Sequence, residues 1–342
     1  MSEFYVVVVQ VGKVEPHPNA DRLEITRVWD YPVITGKGEF KEGDKAVYIP
    51  VDSLVPAGRI MKDEATGVDF CEPNPGPFAF LWHEDRPRDL ERVRAKKLRG
   101  IYSQGILVRA KPEWQVGQNV QEELGISKYE PLEPISFSGE DEKNPKFIPV
   151  YTDIEGLRRY PTILQEGEEV VIHEKLHGSN SRYLYDGERL WAGSHRCIKK
   201  FNPDNLWWKS LAQNNLEEKL KAIPGIVVYG EVYGRVQDLH YGAGKNDLFF
   251  AAFDAYSIHK GQYLDYDEFI ALTILSGLPT VPLLYRGPWF ASLRSLAEGV
   301  STLADHVREG IVIRPIKERW NPETGRTIFK FVGEGYLTRK GG

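Results

Sequence analysis

The sequence predicts an α+β protein, with a small N-terminal β-barrel followed by a domain of antiparallel sheets and flanking helices. Three observations carry the prediction. Short β-branched runs separated by turn residues fill the first third of the chain. Longer strand patterns mixed with two helical ones fill the second half. At 342 residues and 41% hydrophobic, the chain is large enough to bury two separate cores.

The barrel is read strand by strand. Phe4 to Val11 is a Val-rich run of strand formers. The cluster Pro16-His17-Pro18-Asn19-Ala20-Asp21 breaks the ladder with prolines and Asn/Asp. Leu23 to Val28 alternates as a half-buried strand does. Val33–Thr35, Ala46–Ile49 and Gly105–Val108 complete the set. A five-stranded OB-fold over residues 1–115 is the natural expectation. Residues 60–92, rich in Pro and charge, read as an irregular insertion, and 116–165 as a linker with weak patterning.

The domain expected over 166–342 opens on a strand at Glu169–Ile172. Asn205 to Ala222 has helical spacing, with Leu206, Leu211, Leu216 and Leu220 on one face, and Asp265 to Leu275 is a second helix. Further strands are expected at Gly225–Val232, Leu248–Tyr256, Gly310–Arg314 and Thr327–Phe331. No apolar run approaches a membrane span, and Met1-Ser2-Glu3 lacks the features of a secretory signal. Two distant cysteines, Cys71 and Cys197, form neither a disulfide framework nor a metal pattern, so a reducing cytoplasm is the expected location. A net charge of −5 leaves room for local basic surface, such as Arg94, Lys96, Lys97 and Arg99 or Arg196, Lys199 and Lys200. A solvated face is the plainer reading of each cluster.

Five segments carry chemistry. In Glu174-Lys175-Leu176-His177-Gly178-Ser179-Asn180, a lysine at a strand end precedes a glycine-permitted turn. Taken by itself, an exposed lysine beside a turn is the plainer reading. In Tyr229-Gly230-Glu231-Val232-Tyr233-Gly234, a carboxylate inside an apolar strand needs a partner: a ribose hydroxyl, metal-bound water or a structural cation. Phe253, in Phe249 to Tyr256, is a core residue or a ring presented to a base. Glu309 opens the strand Gly310–Arg314, and Lys330 stands among Thr327, Ile328, Phe329 and Phe331, where it must reach water or an anion.

In this order, the five segments resemble the motifs of the covalent nucleotidyltransferase superfamily of polynucleotide ligases and capping enzymes. His177 in Lys175-x-His177-Gly178 and Asn180 resemble the RNA ligase form. The chain reaches Gly342 soon after Lys330, leaving no room for the C-terminal barrel expected of DNA ligases and capping enzymes. The N-terminal stretches Glu15 to Leu23, Tyr48 to Ser53 and Leu98 to Gly105 resemble the module of the fifth RNA ligase family. The resemblance implies an ATP-dependent RNA ligase that seals 3′-hydroxyl/5′-phosphate nicks as a monomer. It implies Lys175 as the nucleophile that becomes lysyl-AMP, with a pKa depressed from ~10.4 by a metal ion and Lys330. It gives Glu231 the ribose hydroxyls, Phe253 the adenine face and Lys330 the α-phosphate. Glu309 and Glu231 would serve Mg²⁺ or Mn²⁺, and Glu174, His177, Gly178, Asn180 and Arg196 would contact nucleotide or phosphates. The motif's second lysine is absent, since Val332 holds its position, with Arg339 or Lys340 as the candidate substitute. The rival readings are a DNA ligase, and a tRNA-binding protein with a dead second domain.

Overall fold

The computed structural model describes residues 4–62, 69–85, 87–129 and 140–339. These form two compact units, one holding residues 4–129 with Arg158–Pro161, the other residues 140–157 and 162–339.

In the first unit, Val7–Gln10 and Ile106–Arg109 flank Lys45–Ile49, both antiparallel to it. Leu23–Val28 is flanked by Val14–Pro16 and Tyr31–Gly36, and Ser53–Pro56 by Leu90–Arg92 and Ser127–Lys128. The valine run is continuous rather than alternating because both its faces are covered. Val6 and Val8 pack with Val47, Ile49 and Val55, whereas Val7, Val9 and Val11 pack with Val28, Val33 and Phe40.

Two stretches are more ordered than their patterning predicts. Gly58–Lys62 and Asp69–Pro73 form an antiparallel hairpin inside the supposed irregular insertion. Around 111–129, Trp114, Val120 and Ile126 are buried in the first unit's core. Beyond it, Ile148 and Tyr151 are buried in the core of the second unit. Residues 130–139 of the expected linker lie outside the described residues. Strands of two or three residues carry too little periodicity to be read from sequence.

The second unit contains two largely antiparallel sheets. One has the order Asp141–Glu142, Ile198–Lys199, Leu190–Ser194, Ser179–Tyr185, Ile226–Gly234, Leu248–Ser257, Gln262–Tyr263. The other has the order Glu155–Gly156, Phe329–Val332, Gly310–Pro315, Glu169–Lys175, Leu283–Pro288, with its first pair parallel. The expected Asn205–Ala222 helix is two helices, Leu206–Gln213 and Leu216–Lys221. Asn215 separates them at φ 51°, a left-handed conformation that Asn tolerates better than most residues. Helix Tyr266–Ser276 starts in a capping box between Asp265 and Glu268 and stops at Gly277.

The two sheets are tied together through a buried carboxylate. Asp254 lies 2.7 Å from Arg314 and 2.6 Å from Arg326, and accepts a 2.8 Å hydrogen bond from Tyr151. The pairing holds its carboxyl down at about 2 although burial alone would raise it.

Candidate active site

Lys175 is the last residue of its strand and pairs with Gly310, so Glu309 arrives beside it. Its Nζ lies 2.8 Å from Glu309 Oε1. Side chains alternate along a strand and match across a pair. His173 and Lys175 therefore share a face with Val312, paired to His173, and with Lys330, paired to Val312. Glu174 points to the opposite face, where it is buried. Its carboxylate accepts from Ser301 Oγ (2.5 Å), Thr302 Oγ1 (2.7 Å) and the Thr302 amide (2.9 Å). The structure thus commits Glu174 to fixing the 301–302 turn.

The chain leaves the Lys175 strand through Gly178. A β-carbon there would collide with the Val232 carbonyl and stand 3.1 Å from Glu231 Cγ, so only glycine permits this approach. Two residues on, Asn180 pairs with Glu231 across the larger sheet. Lys175, Glu231 and Glu309 thereby form one electrostatic group. Burial pushes the Glu231 carboxyl up to about 7, with Lys175 opposing and Glu309 reinforcing the shift. For Lys175, burial acts downward, but Glu309 and Glu231 outweigh it and hold the amine above its ordinary value. The expected depression of the lysine pKa is therefore not supplied by the chain's own residues. The physical reason is the pair of carboxylates, which favour the charged amine.

His177 is fixed from three sides. Its amide donates to Tyr241 Oη (2.8 Å), Nε2 lies 2.7 Å from Asp238 Oδ1, and Nδ1 lies 3.1 Å from Tyr336 Oη. Asp238 is also bridged by Arg339 at 2.8 Å, and that guanidinium stacks 3.7 Å above the Tyr336 ring. Arg339 is thus drawn to the neighbourhood of His177 by an acid, while Val332 pairs with Gly310 and Lys340 lies outside the described residues. Asp238, Tyr241 and Tyr336 join the site from segments without periodicity, and no sequence pattern marks them.

Phe253 owes its position to a β-bulge. Tyr229 pairs with Asp254 but Gly230 pairs with Ala252, which leaves Phe253 as the extra residue. Bulges re-aim side chains beside active sites. Its ring is half-buried between Tyr151, 5.1 Å away, and the cluster containing Leu176 and Tyr241. Arg196 is exposed in the tight turn after Ser194, whose strand partner Ser181 adjoins Asn180. That turn lies at the same end of the sheet as Glu231.

Residues 168–332 match the RNA ligase family model, and residues 5–64 an OB-fold domain model. Among solved structures, the Naegleria gruberi RNA ligase with PPi is 26% identical, with a TM-score of 0.79, and the match covers 98% of each chain. The second half of the chain is an RNA ligase domain. An Arg-to-Ala mutant of the Naegleria enzyme with ATP and Mn matches at 25% identity and TM-score 0.79 over 98% of each chain. A Lys-to-Met mutant with AMP and Mn matches at 25% and 0.78, over 97% of this chain and 98% of the other. No curated protein matches the sequence. Among its described residues, the ligase has no helix long and apolar enough to cross a membrane.

The ligase's residues fit a nucleotide and a hydrated divalent cation. Glu309 Oε2 and Asn180 Oδ1 are buried without a hydrogen-bond donor. Glu309 Oε2 stands 3.4 Å from His177 Nδ1, which Tyr336 already engages. Buried acceptors left in this way call for a partner. Among the described residues, no group of three His, Cys, Asp or Glu side chains could hold a metal alone. A cation at Glu309 and Glu231 would complete its shell with water and phosphate oxygens, as Mg²⁺ commonly does.

Proposed function

We propose that this ATP-dependent RNA ligase works through AMP carried on Lys175 and seals nicks with a 3′-hydroxyl and a 5′-phosphate. One observation carries the reading: a partly exposed lysine amine at a strand end, 2.8 Å from a buried glutamate, with a second, half-buried glutamate acting on it. Lys175 Nζ attacks the α-phosphorus of ATP, forming a phosphoramidate as pyrophosphate leaves. The AMP passes to the 5′-phosphate, which gains a good leaving group. The 3′-hydroxyl then displaces AMP and forms the phosphodiester.

A bound divalent cation would offset the charge of crowded phosphates and screen Glu309 and Glu231 from Lys175. The chain's residues do the positioning. Glu231 takes the ribose hydroxyls, and the bulged Phe253 ring takes the adenine face. Lys330, on the same sheet face as Lys175, draws the α-phosphate toward the amine. Arg196 meets the distal phosphates, and Asn180 Oδ1 holds a metal-bound water. His177, held by Asp238 and Tyr336, fixes Glu309 in register with Lys175. Gly178 permits this close approach, while Glu174 supports it from behind. On this reading the ligase acts in the cytoplasm, as a monomer, on nicked duplexes with RNA at the 3′-hydroxyl side.

Sealing of matched nicks that differ only in the sugar of the 3′-hydroxyl nucleotide tests the substrate. Faster joining from ribose than from deoxyribose is expected; equal rates would point to a general polynucleotide ligase.

A further inference from the structure

We propose that the hairpin formed by Lys96–Leu98 and Ile101–Ser103 grips the phosphate backbone of the nucleic acid being joined. The inference rests on the ligase reading. Lys96 pairs with Ser103 and Leu98 with Ile101, so Arg99 and Gly100 alone make the loop. Both have positive φ, 50° and 87°. Such a two-residue turn favours Asn, Asp or Gly at its first position, and an arginine there is strained.

The tip is bracketed by the turn that the sequence singled out and the catalytic unit does not use. Asn19 Nδ2 donates to the Arg99 carbonyl at 2.9 Å. Buried His17 accepts from the Asn19 amide at Nδ1 (3.1 Å), so Nε2 carries the proton and donates to the Leu98 carbonyl (3.1 Å). At the base, the Ile34 amide donates to Ser103 Oγ at 2.9 Å, and the Gln104 amide to the Pro32 carbonyl at 2.8 Å. The hairpin is thus braced at both ends.

What it holds out is unneutralised charge. Lys96, Lys97 and Arg99 are exposed, and none has an ion-pair partner among the described residues. Some exposed lysines elsewhere are neutralised, Lys200 by Glu140, Lys221 by Glu217 and Lys317 by Asp265. In a chain of net charge −5, three unpaired cations gathered within four residues of one braced finger make a local basic patch. Alternation sends Lys96 and Lys97 to opposite faces, with Arg99 at the tip. A phosphate backbone engages cations arrayed in this way, because it presents closely spaced charges without demanding one fixed geometry.

The test titrates the full chain and its Lys96→Ala/Lys97→Ala/Arg99→Ala variant with a nicked RNA duplex, in EDTA to prevent turnover, over a range of salt. The variant is expected to bind at least roughly tenfold more weakly near about 0.1 M salt, and the slope of log affinity against log salt should shrink by roughly two to three. Charging of Lys175 from labelled ATP should be unchanged, which also reports correct folding. A Lys96→Arg/Lys97→Arg variant should keep both affinity and slope. An alanine variant with the affinity and slope of the unaltered chain would overturn the proposal and assign the charges to guarding an exposed strand edge. No measurable binding by the unaltered chain would overturn it as well. Failure of the ligase reading has a different signature: no AMP on Lys175 in the unaltered chain.

Discussion

Lys175 is held in its charged form by Glu309 and Glu231, yet attack on phosphorus needs the neutral amine. The sign of the resulting pH dependence follows directly. An amine whose pKa is raised above its ordinary value is released only as pH rises, so AMP transfer to Lys175 should accelerate with pH. A divalent cation that screens the carboxylates should shift this rise to lower pH. Single-turnover adenylylation measured across pH at two cation concentrations checks both. In the metal-free protein, Glu309→Gln removes the nearest negative charge and should lower the Lys175 pKa. Faster modification of Lys175 by an amine-selective reagent at mildly alkaline pH is the expected readout, and an unchanged rate would detach Glu309 from the nucleophile. Gly178→Ala places a β-carbon against the Val232 carbonyl and beside Glu231. The strand end must shift, and a misplacement near 1 Å costs on the order of 100-fold in rate. Adenylylation should fall by about that factor, and the thermal midpoint should fall with it because the clash is with backbone.

At the scale of elements, the bulge at Phe253 and the bridge at Asp254 are adjacent residues with opposite tasks. Phe253→Leu keeps the packing volume but removes the aromatic face, so the KM for ATP should rise with kcat less affected. Stacking worth roughly 1–3 kcal/mol corresponds to about 5- to 150-fold. Asp254→Asn leaves Arg314 and Arg326 buried without their anion, and breaking such a group costs about 3–5 kcal/mol. A large fall in thermal midpoint is expected, together with loss of both sheets as one cooperative event. Because the Asp254 carboxyl is depressed to about 2 from a usual 3.8, its stabilisation is complete above that usual value. It disappears as pH falls toward 2. His173 acts earlier: buried and held down at about 3 from 6.5, it favours unfolding progressively as pH drops through that interval. Acid denaturation followed by circular dichroism should therefore begin below about pH 6.5 in the chain and later in a neutral His173→Gln variant.

At the scale of the whole molecule, legibility follows how conspicuous each polar residue is within its strand. Lys175, Glu231, Glu309 and Lys330 stand in or beside apolar strands where polar residues are out of place, so the amino-acid pattern marks them. Their convergence is a matter of register: Lys175 against Gly310, Asn180 against Glu231, Lys330 against Val312. Asp238, Tyr241 and Arg339 carry no such mark, because they sit in polar segments whose only common feature is His177. Glu174 looks like a nucleotide ligand from its place beside Lys175, but alternation along the strand turns it toward Ser301 and Thr302. Weak patterning between 111 and 168 conceals buried residues such as Ile126 and Tyr151, since isolated anchors leave no period to detect.

The most direct test of the central claim is transfer of label from α-labelled ATP to the intact chain with Mg²⁺ or Mn²⁺, beside Lys175→Ala. The predicted result is an adduct stable to base and labile to acid, mapped to the peptide containing Lys175 and absent from the variant. A chain that takes up no AMP after any preformed adduct has been excluded by mass spectrometry, or one labelled equally in Lys175→Ala, would contradict it.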